Sequence, residues 1–216
     1  MEQRTTEWLH ARMGRLTASS IAKLMCPVYD KKAGTINYFK NKTAQDYILD
    51  KIAETLTGEE ADQFTTKEMQ WGIDLEPYAK EHFQAATGKT ITDVALLVWD
   101  ENDNVSCSPD GLLTSENSGI EIKCPYNSRN HVKHLTVGNA NDLKEVNETY
   151  YWQVQMCMMI TGCNSWVFAS YDPRFSDNLR MHIAIIERNE DDISLLKNRI
   201  FEALKIMNNI LKKVGG

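Results

Sequence analysis

Ser108-Pro109-Asp110-Gly111 and, further on, Gly119-Ile120-Glu121-Ile122-Lys123-Cys124-Pro125 decide how this chain is read: the pattern is P-D-x10-E-x-K. Ile120 and Ile122 alternate with Glu121 and Lys123. That predicts a strand, because successive side chains of a strand point to opposite faces. The isoleucines take one face, and the carboxylate and the ammonium share the other. Pro125 ends the strand, since it has no N–H for the ladder. Upstream, Val105 to Pro109 reads as a neighbouring strand, with Asp110-Gly111 as the turn after it. Ser115, Asn117, Ser118 and Gly119 supply turn chemistry for a hairpin that brings Asp110 to Glu121. Two carboxylates and a lysine so placed predict a site for Mg²⁺ or Mn²⁺ beside a phosphodiester. Such ions take oxygen ligands, keep several waters and bind substrate phosphate. Lys123 would orient or help deprotonate the attacking water, its pKa lowered by burial beside a cation. Taken singly, an E-x-K pair on a strand is often a solvated face and S-P-D-G is often a plain turn. The reading rests on their combination at this spacing.

The chain has 216 residues, enough for one domain with a full core, and we expect residues 1–216 to form one. A hydrophobic content of 42% with 25% charged residues suits a globular protein in water. No apolar run reaches the ~18 residues of a membrane span. There is no basic-then-apolar amino-terminal signal, so a cytoplasmic location is expected. Cys26, Cys107, Cys124, Cys157 and Cys163 form no C-x-x-C and are read as free thiols. His131 and His134 have no second ligand pair at zinc spacing and read as surface residues. A net charge of −6 does not exclude a nucleic-acid partner, because local patches set phosphate binding.

Coarse elements follow from periodicity and punctuation. Glu7 to Met25 reads as two short helices around Arg15–Ser19, with Thr17 or Ser19 as a cap. Cys26 to Asn41 reads as a loop carrying Lys31, Lys32 and Lys40, with Lys42 just beyond. Thr43 to Thr57 is a helix ending at Gly58. Thr66 to Thr87 is another ending at Gly88, with Trp71, Leu75, Ala79 and Phe83 on one face and Pro77 kinking or restarting it. Strands are expected around 90–99, 105–109 and 119–124, then a helix over Asn147–Thr161 ending at Gly162, then strands at about 164–171 and 180–187. A terminal helix from about Asp191 to Lys213 carries the stripe Ile193, Leu196, Ile200, Leu204 and Met207. The order predicts an α/β fold with a restriction-endonuclease-like core, a central mixed β-sheet flanked by helices.

Other residues fit the same chemistry, each with a plainer alternative. Glu76, in Trp71-Gly72-x3-Glu76-Pro77, is a third carboxylate for metal or a solvated helical glutamate. Gln153 bridges the water and Lys123, or is a buried hydrogen-bonding residue. Arg12 and Ser19 bind a terminal phosphate or lie on the surface.

The motifs Trp8-x3-Arg12 with Leu16-Thr17-Ala18-Ser19, Trp71-Gly72-x3-Glu76, Cys107-Ser108-Pro109-Asp110-Gly111, Glu121-Ile122-Lys123-Cys124-Pro125, Ser128-Arg129, Gln153-Val154-Gln155 and Tyr171-Asp172-Pro173-Arg174 occur in one order. In this the chain resembles the lambda-exonuclease-type, YqaJ-type viral recombinase family of the PD-(D/E)xK nuclease superfamily. The resemblance implies a processive 5′→3′ exonuclease on double-stranded DNA ends, working with two Mg²⁺ ions for which Mn²⁺ can substitute. It implies a homotrimeric ring, a single-strand annealing recombinase as partner, and a location in the host cytoplasm of a phage or prophage. Residue by residue, Asp110, Glu121 and the main-chain carbonyl of Ile122 would hold metal with Glu76 assisting. Lys123 and Gln153 would position the water, and Arg12, Ser19 and Ser108 would take the 5′-phosphate. Tyr150 would sit by the scissile nucleotide and Trp8 near the point of strand separation. Lys31, Lys32, Arg129 and Lys133 are candidate DNA-backbone contacts. Competing readings are a sequence-specific endonuclease of the same superfamily and a catalytically silent DNA-binding recombination adaptor. An iron–sulphur relative, evoked by Cys26, Cys157 and Cys163, lacks its C-x-x-C.

Overall fold

The computed structural model describes residues 1–30, 35–60 and 65–215. Helix α1 (Thr6–Arg12) is capped by the Thr5 side chain and leads into the short strand β1 (Leu16–Thr17) and a 3₁₀ helix over Ala18–Leu24. The second short helix expected here is therefore a strand followed by a tighter helix; Thr17 stands at its start but makes no side-chain cap. The stretch read as a loop holds β2 (Val28–Asp30) and β3 (Thr35–Asn37), paired antiparallel, and a 3₁₀ turn over Tyr38–Lys40. Helices α2 (Lys42–Thr57) and α3 (Lys67–Thr87) end at Gly58 and Gly88, both in the left-handed conformation that closes a helix without a Cβ clash. α3 runs through Pro77 as one element. Ala79 and Phe83, buried against the sheet, hold it beyond the proline. Burying a Phe side chain contributes ~1.5–3 kcal/mol, comparable to the ~3 kcal/mol an interior proline costs. The upper half of its expected apolar face, Trp71 and Leu75, is only half-buried.

Four strands follow: β4 (Leu97–Trp99), β5 (Asn102–Cys107), β6 (Gly111–Leu113) and β7 (Ser118–Lys123). The expected strand at 90–99 shortens to β4, with one isolated bridge at Thr92. Short helices α4 (Ser128–His134) and α5 (Ala140–Val146), unforeseen in the sequence, precede α6 (Glu148–Thr161). Then come β8 (Ser165–Tyr171), β9 (Met181–Glu187) and α7 (Glu190–Val214).

The strands expected to form one central sheet divide between two, the three-stranded β1-β5-β4 and the four-stranded mixed sheet β6-β7-β8-β9, while β2-β3 form a separate ladder. The fold class stands: an α/β protein of mixed sheets flanked by helices. The partner expected for β7 does not. β5, the expected neighbour, pairs with β1 and β4, while β7 pairs antiparallel with β6 and parallel with β8. Pro109 and Asp110 turn the chain so that Gly111, not Cys107, meets Ile120. Gly111 is needed there, because a Cβ would stand 2.2 Å from the Ile91 side chain.

α3 covers one face of the four-stranded sheet, packing Ala79 and Phe83 on Leu113, Ile120, Ile122, Val167 and Ala169. α6 lies on the other face and is buried along Tyr151–Met159. It is enclosed between the sheet, the Ala18–Leu24 turn and α7, so it carries apolar residues all round. All five expected stripe residues of α7 are buried.

Candidate active site

Alternation along β7 splits it as the sequence requires. Ile120 and Ile122 pack under α3, and Glu121 and Lys123 turn toward α6. Glu121 is buried, 2% exposed. Its Oε1 accepts from Lys123 Nζ at 2.5 Å and from Gln153 Nε2 at 2.7 Å. Gln153 reaches it because α6 places that residue on its sheet-facing side; its Oε1 also accepts from Lys123 at 3.4 Å. Tyr150, one turn earlier, lays its ring under the Lys123 ammonium at 4.5 Å. Asp110 stands just before β6, and its Oδ2 accepts from the Ile122 amide at 2.6 Å, beyond the last β6–β7 pair. Glu76, on α3, is held through Oε2 by Arg4 and through Oε1 by Lys80 at 3.2 Å.

A second cluster stands beside it. Arg12, at the end of α1, donates to Ser108 Oγ at 3.0 Å and to Ser19 Oγ at 3.1 Å. Its guanidinium stacks on Trp8 at 4.2 Å, and Trp8 Nε1 donates to Ser108 Oγ at 3.1 Å and to the Ala95 carbonyl at 2.8 Å. Burial draws the Arg12 pKa below the usual arginine value, a shift that an arriving anion opposes. Both clusters open into one cleft of about 1230 Å³, lined by Trp8, Arg12 and Ser19 and by Glu76, Lys123 and Tyr150.

Among the described residues, no three acidic, histidine or cysteine side chains converge on one point. Glu121 is turned to Lys123 and Glu76 to Arg4. Two observations still mark a place for a hard cation. Glu121 Oε2 is buried with no hydrogen-bond partner, and a buried carboxylate oxygen left so is costly. Asp110 has its pKa pushed well above the usual carboxylate range, first by burial and then by the charges of Glu121 and Glu76. Carboxylates and a nearby main-chain carbonyl form an oxygen donor set that suits Mg²⁺ or Mn²⁺.

The neighbours of Lys123 act against its burial. Burial acts to lower its pKa, but Glu121, Tyr150 and Asp110 outweigh burial and hold it above the usual lysine value. As an ammonium Lys123 can only donate hydrogen bonds. The reading of the histidines as surface residues is corrected. His131 and His134 are buried at 0% and 2% exposure, and both reach Ser170 Oγ through Nδ1 at 2.8 Å. Arg129 and Lys133 are exposed on α4 and do not line the cleft. Lys31 and Lys32 lie outside the described residues. Sequence reasoning missed Gln3, whose amide donates to the carbonyls of Val94 and Pro109, and Arg4. No pattern marked either one.

An α/β core that sets an aspartate, a glutamate and a lysine in one cleft with an arginine–serine cluster fits a phosphodiester-processing type of site. Residues 7–164 match the YqaJ-like viral recombinase domain, and the chain belongs to that family. It is similar over 98% of its length to an alkaline exonuclease, LHK-Exo from Laribacter hongkongensis, at 28% identity and a TM-score of 0.80, covering 96% of that chain. LHK-Exo has also been solved in complex with dAMP, at a TM-score of 0.78 to this chain. A phage-related exonuclease from Haemophilus somnus 129PT shares the fold, with a TM-score of 0.74, 18% identity and coverage of 93% of this chain and 96% of that one. The protein ExoD of Escherichia coli (strain K12) is 33% identical over 70 residues, 32% of this chain and 79% of ExoD.

Proposed function

We propose that this chain is a divalent-metal-dependent exonuclease that degrades linear double-stranded DNA from its 5′ ends. It releases 5′-mononucleotides and leaves a 3′ single strand for annealing recombination. The observation that carries the reading is the shared cleft: Asp110, Glu121 and Lys123 face the same space as the Arg12–Ser108–Ser19 cluster. Family membership, similarity to an alkaline exonuclease along the chain and that enzyme's complex with dAMP support it.

Asp110, Glu121 and the Ile122 carbonyl would hold Mg²⁺, or Mn²⁺ in its place, with Glu76 completing a site for two ions. When bound, the ions supply Lewis acidity at the phosphorus and lower the pKa of the attacking water. The protein's own groups do the rest. Lys123 donates a hydrogen bond to the attacking water and offsets charge growing on the phosphoryl oxygens, while Gln153 fixes the Lys123–Glu121 geometry. Tyr150 borders the scissile nucleotide and holds the ammonium in place. Arg12, Ser19 and Ser108 receive the 5′-phosphate, with Arg12 presenting paired N–H donors. Trp8 packs behind Arg12 near the end of the duplex. The exposed Arg129 and Lys133 add backbone contacts. The protein would act as a homotrimeric ring that moves processively, beside a single-strand annealing recombinase, in a host cytoplasm. Among the described residues, no helix is long and apolar enough to cross a membrane.

The test is digestion of linear duplex with a 5′-phosphate at one end and a 5′-hydroxyl at the other, in Mg²⁺ and in EDTA. We expect Mg²⁺-dependent loss from the phosphorylated end, with mononucleotides released. Arg12→Ala should erase the end preference; an intact preference would overturn the pocket assignment. Internal cuts would favour an endonuclease. Retained binding without digestion would favour a silent adaptor.

A further inference from the structure

Two residues ahead of the family-matched span 7–164 reach into the site. Gln3 Nε2 donates to the Val94 carbonyl at 2.9 Å and to the Pro109 carbonyl at 2.8 Å. This stitches the segment to the residue immediately before Asp110. Arg4 follows with φ +67°, a left-handed conformation that costs a non-glycine residue free energy. The outcome of that geometry is a guanidinium placed on Glu76 Oε2. The other Glu76 oxygen faces Lys80 at 3.2 Å, and Lys80 is shared with Asp93 at 2.8 Å. Arg4 is the looser partner, with its side chain 44% exposed against 13% for Glu76.

A guanidinium can satisfy a carboxylate, but it cannot hold that carboxylate, a water and a phosphate oxygen in one coordination shell as a divalent ion does. We propose that Arg4 is a resident counter-cation for Glu76: it neutralises Glu76 in the free protein and is displaced when a divalent cation takes Glu76 as a ligand. The proposal rests on the metal-dependent reading above and adds to it a residue outside the family span. Metal binding must break the Arg4–Glu76 pair, so Arg4 sets the concentration at which Glu76 engages. A mere tether would act in the opposite sense, because its loss would slacken the site and weaken metal binding.

The experiment is calorimetric titration of Mn²⁺ into the full chain without DNA, for wild type, Arg4→Gln, Arg4→Lys and Gln3→Ala. Arg4→Gln should bind Mn²⁺ roughly two- to fivefold more tightly, the size expected from removing an exposed competing ion pair. Arg4→Lys should stay near wild type. Unchanged or weaker binding by Arg4→Gln overturns the proposal. So does equal tightening by Gln3→Ala, which keeps the charge and loosens only the segment. If wild type takes up no Mn²⁺, the metal-dependent reading fails and the proposal fails with it. If wild type binds and Arg4→Gln does not differ, only the role of Arg4 is lost.

Discussion

Lys123 and Ser170 are register partners on adjacent strands, and each anchors a buried polar network, but the two networks differ in kind. Around Ser170 the hydroxyl pairs with both histidine Nδ1 atoms. The Leu179 carbonyl can only accept, so His131 Nε2 donates to it at 2.8 Å. His131 Nδ1 then accepts from the Ser170 hydroxyl, and His134 Nδ1 donates to that same oxygen. Around Lys123 the account does not close. Glu121 Oε1 takes two donors while buried Oε2 takes none. Burial beside other carboxylates also raises the Asp110 pKa. A network paired in this way fastens elements together, here α4 onto β8. A network short of one positive partner is a binding site in waiting. Tyr150 stands between them, with its ring against both His134 and Lys123.

The comparison breaks if the two networks respond alike to substitution. The largest effect should come from the open one. Glu121→Gln or Asp110→Asn should slow single-turnover digestion by about 10³-fold or more, equivalent to about 4 kcal/mol in the barrier, with little change in melting temperature. Lys123→Ala should follow, at roughly 10²–10³-fold, because it removes an orienting donor and leaves the carboxylates. Digestion unchanged in Lys123→Ala would trace the cutting to another protein.

The closed network should answer in stability instead. Ser170→Ala strands two histidine nitrogens and should cost about 2 kcal/mol, lowering the melting temperature by roughly 4–8 °C. Turnover per folded molecule should hold within about twofold. A smaller effect should appear with pH. His134 is held neutral down to about pH 4, through burial first and then the charges of His131, Lys123, His182 and Lys133. In the unfolded chain a histidine protonates near pH ~6.5. The unfolded state therefore binds more protons between these values. Stability present above pH 6.5 should fall as pH drops toward 4, and His134→Gln should flatten that slope in melting curves. The smallest effect is expected on the exposed face of α4. Arg129→Ala should weaken DNA binding a few-fold and reduce its salt slope by about one.

What the sequence disclosed follows from how local each signal is. The alternation in β7, the glycines that close α2, α3 and α6, and the stripe of α7 are set by neighbours a few residues apart, and the structure keeps them. The strand beside β7 was misread because pairing is non-local: Val105 meets Leu16, and Gly111 meets Ile120. His131 and His134 were read as exposed because their spacing says nothing of Ser170, whose hydroxyl hydrogen-bonds to both. The Arg12–Ser19–Ser108 cluster was legible as residue types, but its assembly needed α1 to fold against the segment after β5.

The most direct measurement is thermal melting of wild type and Glu121→Gln with and without Mn²⁺. At about a hundred times Kd, wild type should melt roughly 5–10 °C higher, because the ion completes the open network. Glu121→Gln should show almost no rise. An equal rise in both, or none in wild type, would contradict the claim that the network around Glu121 is built to receive a metal.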